Sequence, residues 1–245
     1  MKKVYLTSNI GGSKKENGKR ISTFLRPDNG FIDSLKALWK EKANILIMGG
    51  DADSSEINDS IKNMFEAAFP MSGLSIGEMV VCDGRNPDVL QKMADFDVLI
   101  LAGGHVPTQN IFFKKIKLKE KLEKYEGILI GISAGAMNCA KIVYAQPEME
   151  GESIDANYRR FIPGLGITKH MILPHYQSIK DDILDGKRLF EDITYADSHG
   201  QEFYALVDGS YVAIEDGESK LFGEAYLIKD GEIEQICENG GCVCL

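Results

Sequence analysis

Residues 128–138 read ILIGISAGAMN, and this short stretch predicts a strand that passes directly into a helix. It begins with an apolar run that has the length of a buried strand and gives way at once to small residues around Ser133. The pentapeptide GISAG fits the pattern G-x-S-x-G of a nucleophile elbow, in which Gly131 and Gly135 relieve crowding and the serine hydroxyl projects beyond a parallel sheet. A glycine-rich turn that packs closely or holds a phosphate is the alternative interpretation.

Apolar runs alternate with amphipathic stretches up to Gly164, which predicts βαβ units around a parallel sheet. The later pattern consists of β-rich runs and Asp-Gly pairs that are typical of hairpin turns. We therefore expect one α/β domain over residues 1–245, with a three-layer, mainly parallel sheet flanked by helices and antiparallel C-terminal strands. The predicted helices span 31–42, 59–69, 87–96, 108–125 and 181–196, and the predicted hairpin turns lie at 208–209, 216–217 and 230–231.

The bulk composition argues against several kinds of partner. The 245 residues are 44% hydrophobic and carry a formal net charge of -9, with a pI near 5.1, so the surface would repel nucleic acid and anionic membranes. No apolar run approaches the ~20 residues of a membrane span, and the first apolar run is too short for a signal peptide. Five cysteines suit a reducing compartment. We expect a soluble, cytoplasmic protein that binds no metal, because the tail cysteines match no zinc pattern.

A serine nucleophile needs a base, and the chain offers four histidines. His175 follows an apolar run and a proline in MILPHYQ, which places it at a strand end, where an α/β sheet forms its ligand crevice. His170 would lie at the other end of that strand, and His199 is interpreted as a capping or surface residue. His105 also ends a strand, but the preceding pair 103–104 suggests a backbone oxyanion donor. An ordinary strand–turn–helix junction is compatible with the same two glycines.

The carboxylate that would orient His175 is less clearly marked. Eight acidic residues lie between 181 and 208, and most of them fall on predicted polar helix faces. Asp208 differs because it ends the apolar run FYALV at another predicted strand end, so it is our candidate for the third member of a triad. A hairpin turn is the competing interpretation of the Asp-Gly pair at 208–209.

Together these blocks resemble peptidase E, the serine dipeptidase family that includes cyanophycinase and has a flavodoxin-like, class I glutamine-amidotransferase-like fold. The resemblance covers most of the chain and rests on four blocks in the same order. These are VLILAGGHVPTQNIF (98–112), similar to the family's strand and glycine block, GISAGAMN (131–138), similar to its nucleophile block, LPHYQ (173–177), similar to its histidine block, and ALVDGSYV (205–212), similar to the stretch with its acid.

The resemblance implies a role for each matching residue. Ser133 would be the nucleophile, His175 the general base and then acid, and Asp208 the orienting carboxylate. The backbone N–H groups of Gly104 and Ala134 would form the oxyanion hole. The order serine, histidine, acid also separates the chain from α/β-hydrolases, in which the acid precedes the histidine.

Two further residues are candidates for substrate binding by the same resemblance. Members with aspartyl-dipeptidase activity resemble GGGN where this chain has AGGH, so His105 changes the loop that faces the substrate. The family holds the substrate's amino group with an acidic residue downstream of the nucleophile, and Glu148 is the nearest counterpart by spacing. Glu150 and Glu152 are almost as near, and a solvated loop charge is the competing interpretation.

These expectations describe a serine hydrolase, a serine protease of peptidase E type that cleaves dipeptides through an acyl-enzyme on Ser133. It needs no cofactor, acts on a small peptide, binds neither nucleic acid nor membrane, and is a monomer or a homodimer. One alternative is an esterase or amidase of α/β-hydrolase type, with His199 as base and Asp182 as its acid. The other alternative is a non-catalytic ligand-binding relative of the same fold.

Overall fold

The computed structural model describes residues 3–245 and is built around two sheets. The strands, in chain order, are β1 (Lys3–Thr7), β2 (Gly11–Glu16), β3 (Lys19–Leu25), β4 (Ala43–Met48), β5 (Ile76–Cys82), β6 (Val98–Leu101), β7 (Ile128–Ile132), β8 (Ile142–Tyr144), β9 (Phe161–Pro163), β10 (Met171–Leu173), β11 (Ile183–Leu184), β12 (Lys187–Arg188), β13 (Glu202–Leu206), β14 (Tyr211–Glu215), β15 (Glu218–Phe222), β16 (Ala225–Lys229), β17 (Glu232–Cys237) and β18 (Cys242–Cys244).

Helices of very different lengths connect these strands. They are α1 (Phe31–Lys36), α2 (Ser55–Met71), α3 (Val106–Lys115), α4 (Leu118–Leu122), α5 (Ala134–Met137), α6 (Tyr176–Ile179) and α7 (Tyr195–Asp197), with 3-10 segments at Asp28–Gly30 and Pro87–Asp95 and a π-helix at Leu189–Thr194. Within residues 3–245, none of the helices has the length and apolarity required to cross a bilayer.

The large sheet has eight strands in the order β18-β15-β14-β1-β7-β6-β4-β5. The five strands from β1 to β5 in that order run parallel to one another, whereas β14, β15 and β18 pair antiparallel at the other edge. This arrangement confirms the predicted mainly parallel sheet with antiparallel C-terminal strands.

Both faces of the large sheet are covered, as the continuous apolar runs of its parallel strands require. Along β7, Leu129 points into a core cluster that contains Phe112 of α3. Its neighbour Ile130 points to the opposite face and joins a cluster that contains Phe65 of α2. Because successive strand residues alternate between faces, one apolar strand supplies both cores. The prediction of a sheet flanked by helices is therefore confirmed.

A second sheet, with the order β10-β13-β16-β17, packs beside the first. Its first two strands are parallel and in register, with Leu173 opposite Ala205, so their carboxyl ends lie side by side. A separate core cluster joins this sheet to α5 and the π-helix, and it includes Leu173, Phe203, Met137 and Phe190. This cluster holds the second sheet against α5, which follows the end of β7.

The predicted helices are present in part. Those at 31–42, 59–69 and 87–96 correspond to α1, α2 and the second 3-10 segment. The helix predicted at 108–125 is broken in two, because Lys117 has a φ of 53° that no α-helix contains. The helix predicted at 181–196 is wrong in its first half, where β11 and β12 form a hairpin. Its turn is Asp185-Gly186, an Asp-Gly pair in which both residues have positive φ.

Of the three Asp-Gly pairs predicted as hairpin turns, two close hairpins and one does not. Those at 216–217 and 230–231 close the hairpins β14–β15 and β16–β17. The prediction for 208–209 is wrong, because this pair connects β13 in the second sheet to β14 in the first. The chain therefore changes sheets at Asp208, and this crossing lies at the rim formed by the carboxyl ends of the parallel strands.

A hairpin that the sequence analysis did not predict lies at the same rim. It consists of β2 and β3, which pair antiparallel around Asn17-Gly18, with φ values of 50° and 76°. Asn-Gly is the preferred pair for such a type I′ turn, so the signal was present in the sequence. The hairpin packs on α2, where Gly12 lies against Ala68 and Phe65.

Candidate active site

The strand–turn–helix element around Ser133 has the geometry of a nucleophile elbow. β7 ends at Ile132, Ser133 has φ 51° and ψ -116°, and α5 begins at the next residue. A side chain at positive φ is strained by about 1–3 kcal/mol, so the surrounding structure must hold it. The N–H of Ser133 donates to the carbonyl oxygen of Thr7 at 3.0 Å, which ties the turn to the neighbouring parallel strand β1.

The two glycines of the elbow are required sterically. A Cβ at Gly131 would lie 2.8 Å from the Cα of Ala136, and a Cβ at Gly135 would overlap the carbonyl oxygen of Leu101 on β6. The element can therefore turn sharply only because both positions lack a side chain. This steric requirement explains why a serine stands between glycines at this point of the chain.

His175 lies directly against the serine. It follows β10 and Pro174, and its φ is 62°. Its Nε2 lies 3.0 Å from Ser133 Oγ, and its Nδ1 lies 2.7 Å from Asp208 Oδ1. The contact between His175 and Asp208 follows from the second sheet, because these residues come just after the adjacent carboxyl ends of β10 and β13. The structure thus brings together the three residues that the sequence analysis selected for a triad.

The sequence analysis missed two polar residues that hold this arrangement. The Ser8 hydroxyl donates to Asp208 Oδ1 at 2.7 Å and accepts the backbone N–H of His175 at 2.8 Å. The Asn9 side-chain amide donates to Asp208 Oδ2 at 3.0 Å. Both residues follow β1 in the stretch YLTSN, and polar residues just after a parallel strand are the signal that could have identified them.

The environment of Asp208 keeps this carboxylate ionised. Burial raises its pKa, but the hydrogen bonds from His175 and Ser8, the nearby His175 ring and the Asn9 amide together outweigh burial and lower the pKa to about 2. A carboxylate can only accept hydrogen bonds, so the Nδ1 of His175 carries the proton in this contact. When the ring is neutral, its Nε2 is the acceptor that faces the Ser133 hydroxyl.

Gly104 and Ala134 lie on the same side of the serine. Together with Ser133 and His175 they line one depression of about 430 Å³. Ala134 is the first residue of α5, so its N–H has no acceptor within its own helix. Gly104 follows the parallel strand β6, and a Cβ there would lie 2.9 Å from the Cα of Gly50, so only glycine fits. Both residues thus line the depression that also contains Ser133.

Glu148 and His105 occupy different parts of this rim. Glu148 lines the depression beside Ser133, and its Oε1 accepts the N–H of Val106 at 3.3 Å. Burial raises the pKa of Glu148, and nearby His105 only partly opposes the increase. Both nitrogens of the His105 ring are engaged within the protein, since Nδ1 lies 2.7 Å from Thr108 Oγ1 and Nε2 lies 2.7 Å from Glu152 Oε1. His105 therefore shapes the loop next to Glu148.

The remaining histidines are held elsewhere. His170 is buried at the start of β10, where its ring packs edge-on against Tyr204. His199 is exposed and lies against the turn at Gly231. It precedes β13, whereas Asp208 follows that strand, so the two lie at opposite ends of it. The pairing of His199 with Ser133 that an α/β-hydrolase would need is therefore absent from residues 3–245.

Two depressions meet at Ser133 and His175, and their charges are opposite. The acidic depression, of about 430 Å³, is lined by apolar side chains together with Glu148 and Asp182. The basic depression, of about 560 Å³, lies between the β2–β3 hairpin and α2 and includes Arg20 and Arg26. Among the described residues, no lysine or arginine lines the acidic depression, and no aspartate or glutamate lines the basic one.

Two solved structures have a similar architecture. The structure is similar to that of a peptidase from an acI-B1 Actinobacterium, with a TM-score of 0.68 and 16% identity, covering 99% of this chain and 96% of that chain. It is also similar to a putative peptidase E protein from Listeria monocytogenes EGD-e, with a TM-score of 0.57 and 15% identity, covering 96% of this chain and 99% of that chain. At these identities the likeness concerns the fold.

No curated protein matches the chain. The model of peptidase family S51 matches residues 33–222, which is well over half of the chain and includes the elbow, His175 and Asp208. The chain therefore belongs to peptidase family S51, the peptidase E family of serine peptidases.

Proposed function

We propose that this protein hydrolyses unblocked dipeptides through an acyl-enzyme formed on Ser133. The observation that carries the proposal is the continuous chain of contacts from Ser133 Oγ to His175 at 3.0 Å and from His175 to Asp208 at 2.7 Å. A serine hydroxyl is inert without such a base, and the base is ineffective without an oriented ring.

In the first half of the reaction, Ser133 Oγ attacks the carbonyl carbon of the scissile bond while His175 Nε2 takes the hydroxyl proton. Asp208 accepts the Nδ1–H bond and stabilises the imidazolium. The imidazolium then gives its proton to the leaving amine as the C–N bond breaks. In the second half, His175 removes a proton from the water that attacks the acyl ester and gives it to Ser133 Oγ as the ester C–O bond breaks, which releases the N-terminal residue as the free acid.

The tetrahedral intermediates place a negative charge on the former carbonyl oxygen. We assign its stabilisation to the N–H groups of Gly104 and Ala134, which are donors on fixed backbone next to the nucleophile. Donors on backbone that is held by packing need little reorganisation when the charge develops. Loss of one donor of this kind typically reduces kcat by roughly 10²–10³-fold.

Dipeptide specificity is supported by the charge of the acidic depression. Glu148 lies there beside the catalytic groups, where a carboxylate can accept the ammonium group of an N-terminal residue. Lys187 and Arg188, the basic residues of the β11–β12 hairpin, which could pair with an aspartyl side chain, are engaged within the protein: Lys187 donates to the Ser153 carbonyl oxygen and Arg188 pairs with Asp192. We therefore expect neutral N-terminal residues to be preferred over aspartate.

A fluorophosphonate probe tests the nucleophile, because only an activated serine reacts with it. The wild-type protein should be labelled at Ser133, and Ser133→Ala should not be labelled. His175→Ala should slow labelling by roughly 10²–10⁴-fold. His199→Ala is the matched control and should label like wild type. A wild-type protein that stays unlabelled would support the non-catalytic alternative, and loss of labelling in the His199 variant alone would support the α/β-hydrolase alternative.

A panel of dipeptides that differ in the N-terminal residue tests the substrate class, with N-acetylated versions of the same dipeptides beside them. Free dipeptides should be cleaved and acetylated ones should not, and Glu148→Gln should raise KM for the free forms. The Ser133→Ala variant, which lacks the proposed nucleophile, gives the background rate of cleavage. Equal cleavage of free and acetylated dipeptides would refute recognition of the amino group while leaving the peptidase activity in place.

A further inference from the structure

The basic depression shares Ser133 and His175 with the acidic one but does not include Glu148, and the proposed reaction leaves it without a role. Its lining includes Ser133 and His175 themselves, so a substrate held by these groups extends into it. If the amino end of a dipeptide lies in the acidic depression, the leaving residue with its free carboxylate lies on the basic side.

Arg26 is held in place at this side of the cleft. Its backbone N–H donates to Ile10 at 2.7 Å, and its Nε donates to Asp28 at 2.8 Å. The side chain passes between two glycines with positive φ, since a Cβ at Gly11 would lie 2.8 Å from its Cγ and a Cβ at Gly209 would lie 3.1 Å from its Nε. Asp28 occupies only Nε, so the two terminal nitrogens of Arg26 retain donors for another acceptor.

Arg20 approaches the same depression from the β2–β3 hairpin. It lies opposite Lys15 on the neighbouring strand and is exposed. Arg20 forms no ion pair with the residues that the structure describes. Phe24, which is 62% exposed, also lines this depression and adds an apolar surface. The depression thus combines guanidinium groups with an apolar wall, which suits an amino acid with a free carboxylate and an apolar side chain.

We propose that Arg20 and Arg26 bind the C-terminal carboxylate of the leaving residue and so select dipeptides over longer or amidated peptides. The assignment rests on the proposed function of the Ser133 site. The planar guanidinium presents paired donors that match the two oxygens of a carboxylate. A tripeptide would carry its carboxylate one residue further, about 3.3–3.6 Å away from this position. The two ends of a zwitterionic dipeptide therefore match the opposite charges of the two depressions.

The test compares the dipeptide cleaved fastest by the wild-type protein with the C-terminal carboxamide of the same dipeptide. The wild-type protein should prefer the free acid by about tenfold or more in kcat/KM, mainly through KM, because a charged hydrogen-bonded pair is lost in the amide. This preference should shrink at high salt, since the arginines are partly exposed.

Arg20→Ala should lower this acid-to-amide preference by about threefold, because the side chain is exposed, and Arg20→Ala combined with Arg26→Gln should abolish it. Lys19→Ala removes the same charge from the opposite face of the hairpin and should leave the preference as in wild type. Continued labelling of Ser133 by the fluorophosphonate probe shows that each variant is folded.

Equal kcat/KM for acid and amide in the wild-type protein would overturn this assignment and leave the peptidase proposal standing. An acid-to-amide preference that stays unchanged in Arg20→Ala and in the double variant would also overturn this assignment and leave the peptidase proposal standing. If the wild-type protein cleaves neither compound and is not labelled by the probe, the proposed function fails and the role of the arginines fails with it.

Discussion

At the scale of single residues, Ser133 and His175 share an unusual backbone feature. Both have positive φ, which costs about 1–3 kcal/mol for each non-glycine residue. Each is held by the end of β1, Ser133 through the Thr7 carbonyl oxygen and His175 through the Ser8 hydroxyl. The two reactive side chains are therefore positioned from one strand end, and strain in both is balanced by hydrogen bonds to neighbouring residues.

The charge of Asp208 should contribute to stability in a defined pH range. Its pKa falls from an ordinary value of 3.8 to about 2 on folding, so the ionised form is favoured in the folded state. A shift of this size corresponds to about 2 kcal/mol, present above pH 4 and lost as the pH falls towards 2. Asp208→Asn should therefore lower the free energy of unfolding at pH 7 by up to about 2 kcal/mol, measured by urea denaturation.

The difference in unfolding free energy between wild type and Asp208→Asn should narrow below pH 4 and become small at pH 2, because the contribution is lost as the pH falls through the folded pKa of about 2. Asp216→Asn is the matched control, because it makes the same chemical change in an exposed hairpin turn where asparagine is equally suitable. Its unfolding free energy should stay within about 0.5 kcal/mol of wild type. A constant difference between wild type and the Asp208 variant from pH 7 to pH 2 would contradict the assigned pKa.

At the scale of elements, the elbow shows a conflict between local preference and tertiary contact. Gly135 lies within α5, where alanine is intrinsically better by about 0.5–1 kcal/mol. The backbone of β6 nevertheless approaches so closely that a Cβ would overlap the Leu101 carbonyl oxygen. The packing of α5 against the sheet, and not its helix propensity, therefore determines which residue this position accepts.

Gly135→Ala should consequently destabilise the protein by about 3 kcal/mol or more, because the obstructing atom belongs to the backbone and cannot rotate away. Urea denaturation measures this loss of unfolding free energy. The urea concentration at the midpoint should fall while the m-value stays constant. Gly103→Ala at the same rim is the control, since its Cβ would lie an ordinary 3.5 Å from Ser133 Cβ and its stability should change by less than about 1 kcal/mol. Equal stability of the two variants would refute the steric argument.

The Asp-Gly pairs show what a local sequence pattern can predict about secondary-structure elements. Asp-Gly at 216–217 and 230–231 predicts hairpins, because both positions need positive φ and the flanking runs are apolar. The same dipeptide at 185–186 closes a hairpin inside a stretch that we predicted as helix, and at 208–209 it joins two different sheets. A turn dipeptide therefore predicts where the chain bends, while the partner of each flanking strand depends on packing that is distant in sequence.

At the scale of the whole molecule, burial should divide the five cysteines into two classes. Cys242 and Cys244 are exposed on β18, whereas Cys82, Cys139 and Cys237 are buried. Burial raises the pKa of all three buried thiols, and that of Cys82 reaches about 12. Because the thiolate is the reactive form, a disulfide reagent should titrate two thiols rapidly in the native protein and the other three only after unfolding.

The rate of the slow phase should rise with urea, since the buried thiols become accessible through opening of the core. Cys242→Ser together with Cys244→Ser should remove the fast phase and leave the slow phase. Rapid reaction of all five thiols in the absence of urea would show that the core around Cys82 and Cys139 is open in solution.

Local sequence patterns predict the parallel sheet, the elbow at Ser133 and the candidate pair of His175 and Asp208. Apolar runs of strand length, glycines beside a serine and polar residues at strand ends are local patterns, and each has a steric or burial requirement that a short segment reveals. These patterns also explain why the resemblance to peptidase E could be recognised before the fold was known.

The way in which these segments meet depends on long-range packing. The pairing of β10 with β13 brings His175 to Asp208, and the end of β1 supplies Ser8, which no spacing in the sequence connects to either residue. The opposite charges of the two depressions likewise arise from side chains more than 100 residues apart, such as Arg20 and Glu148. Contacts of this kind depend on strand order and sheet packing, which follow from burying the whole core at once and leave no local pattern in the chain.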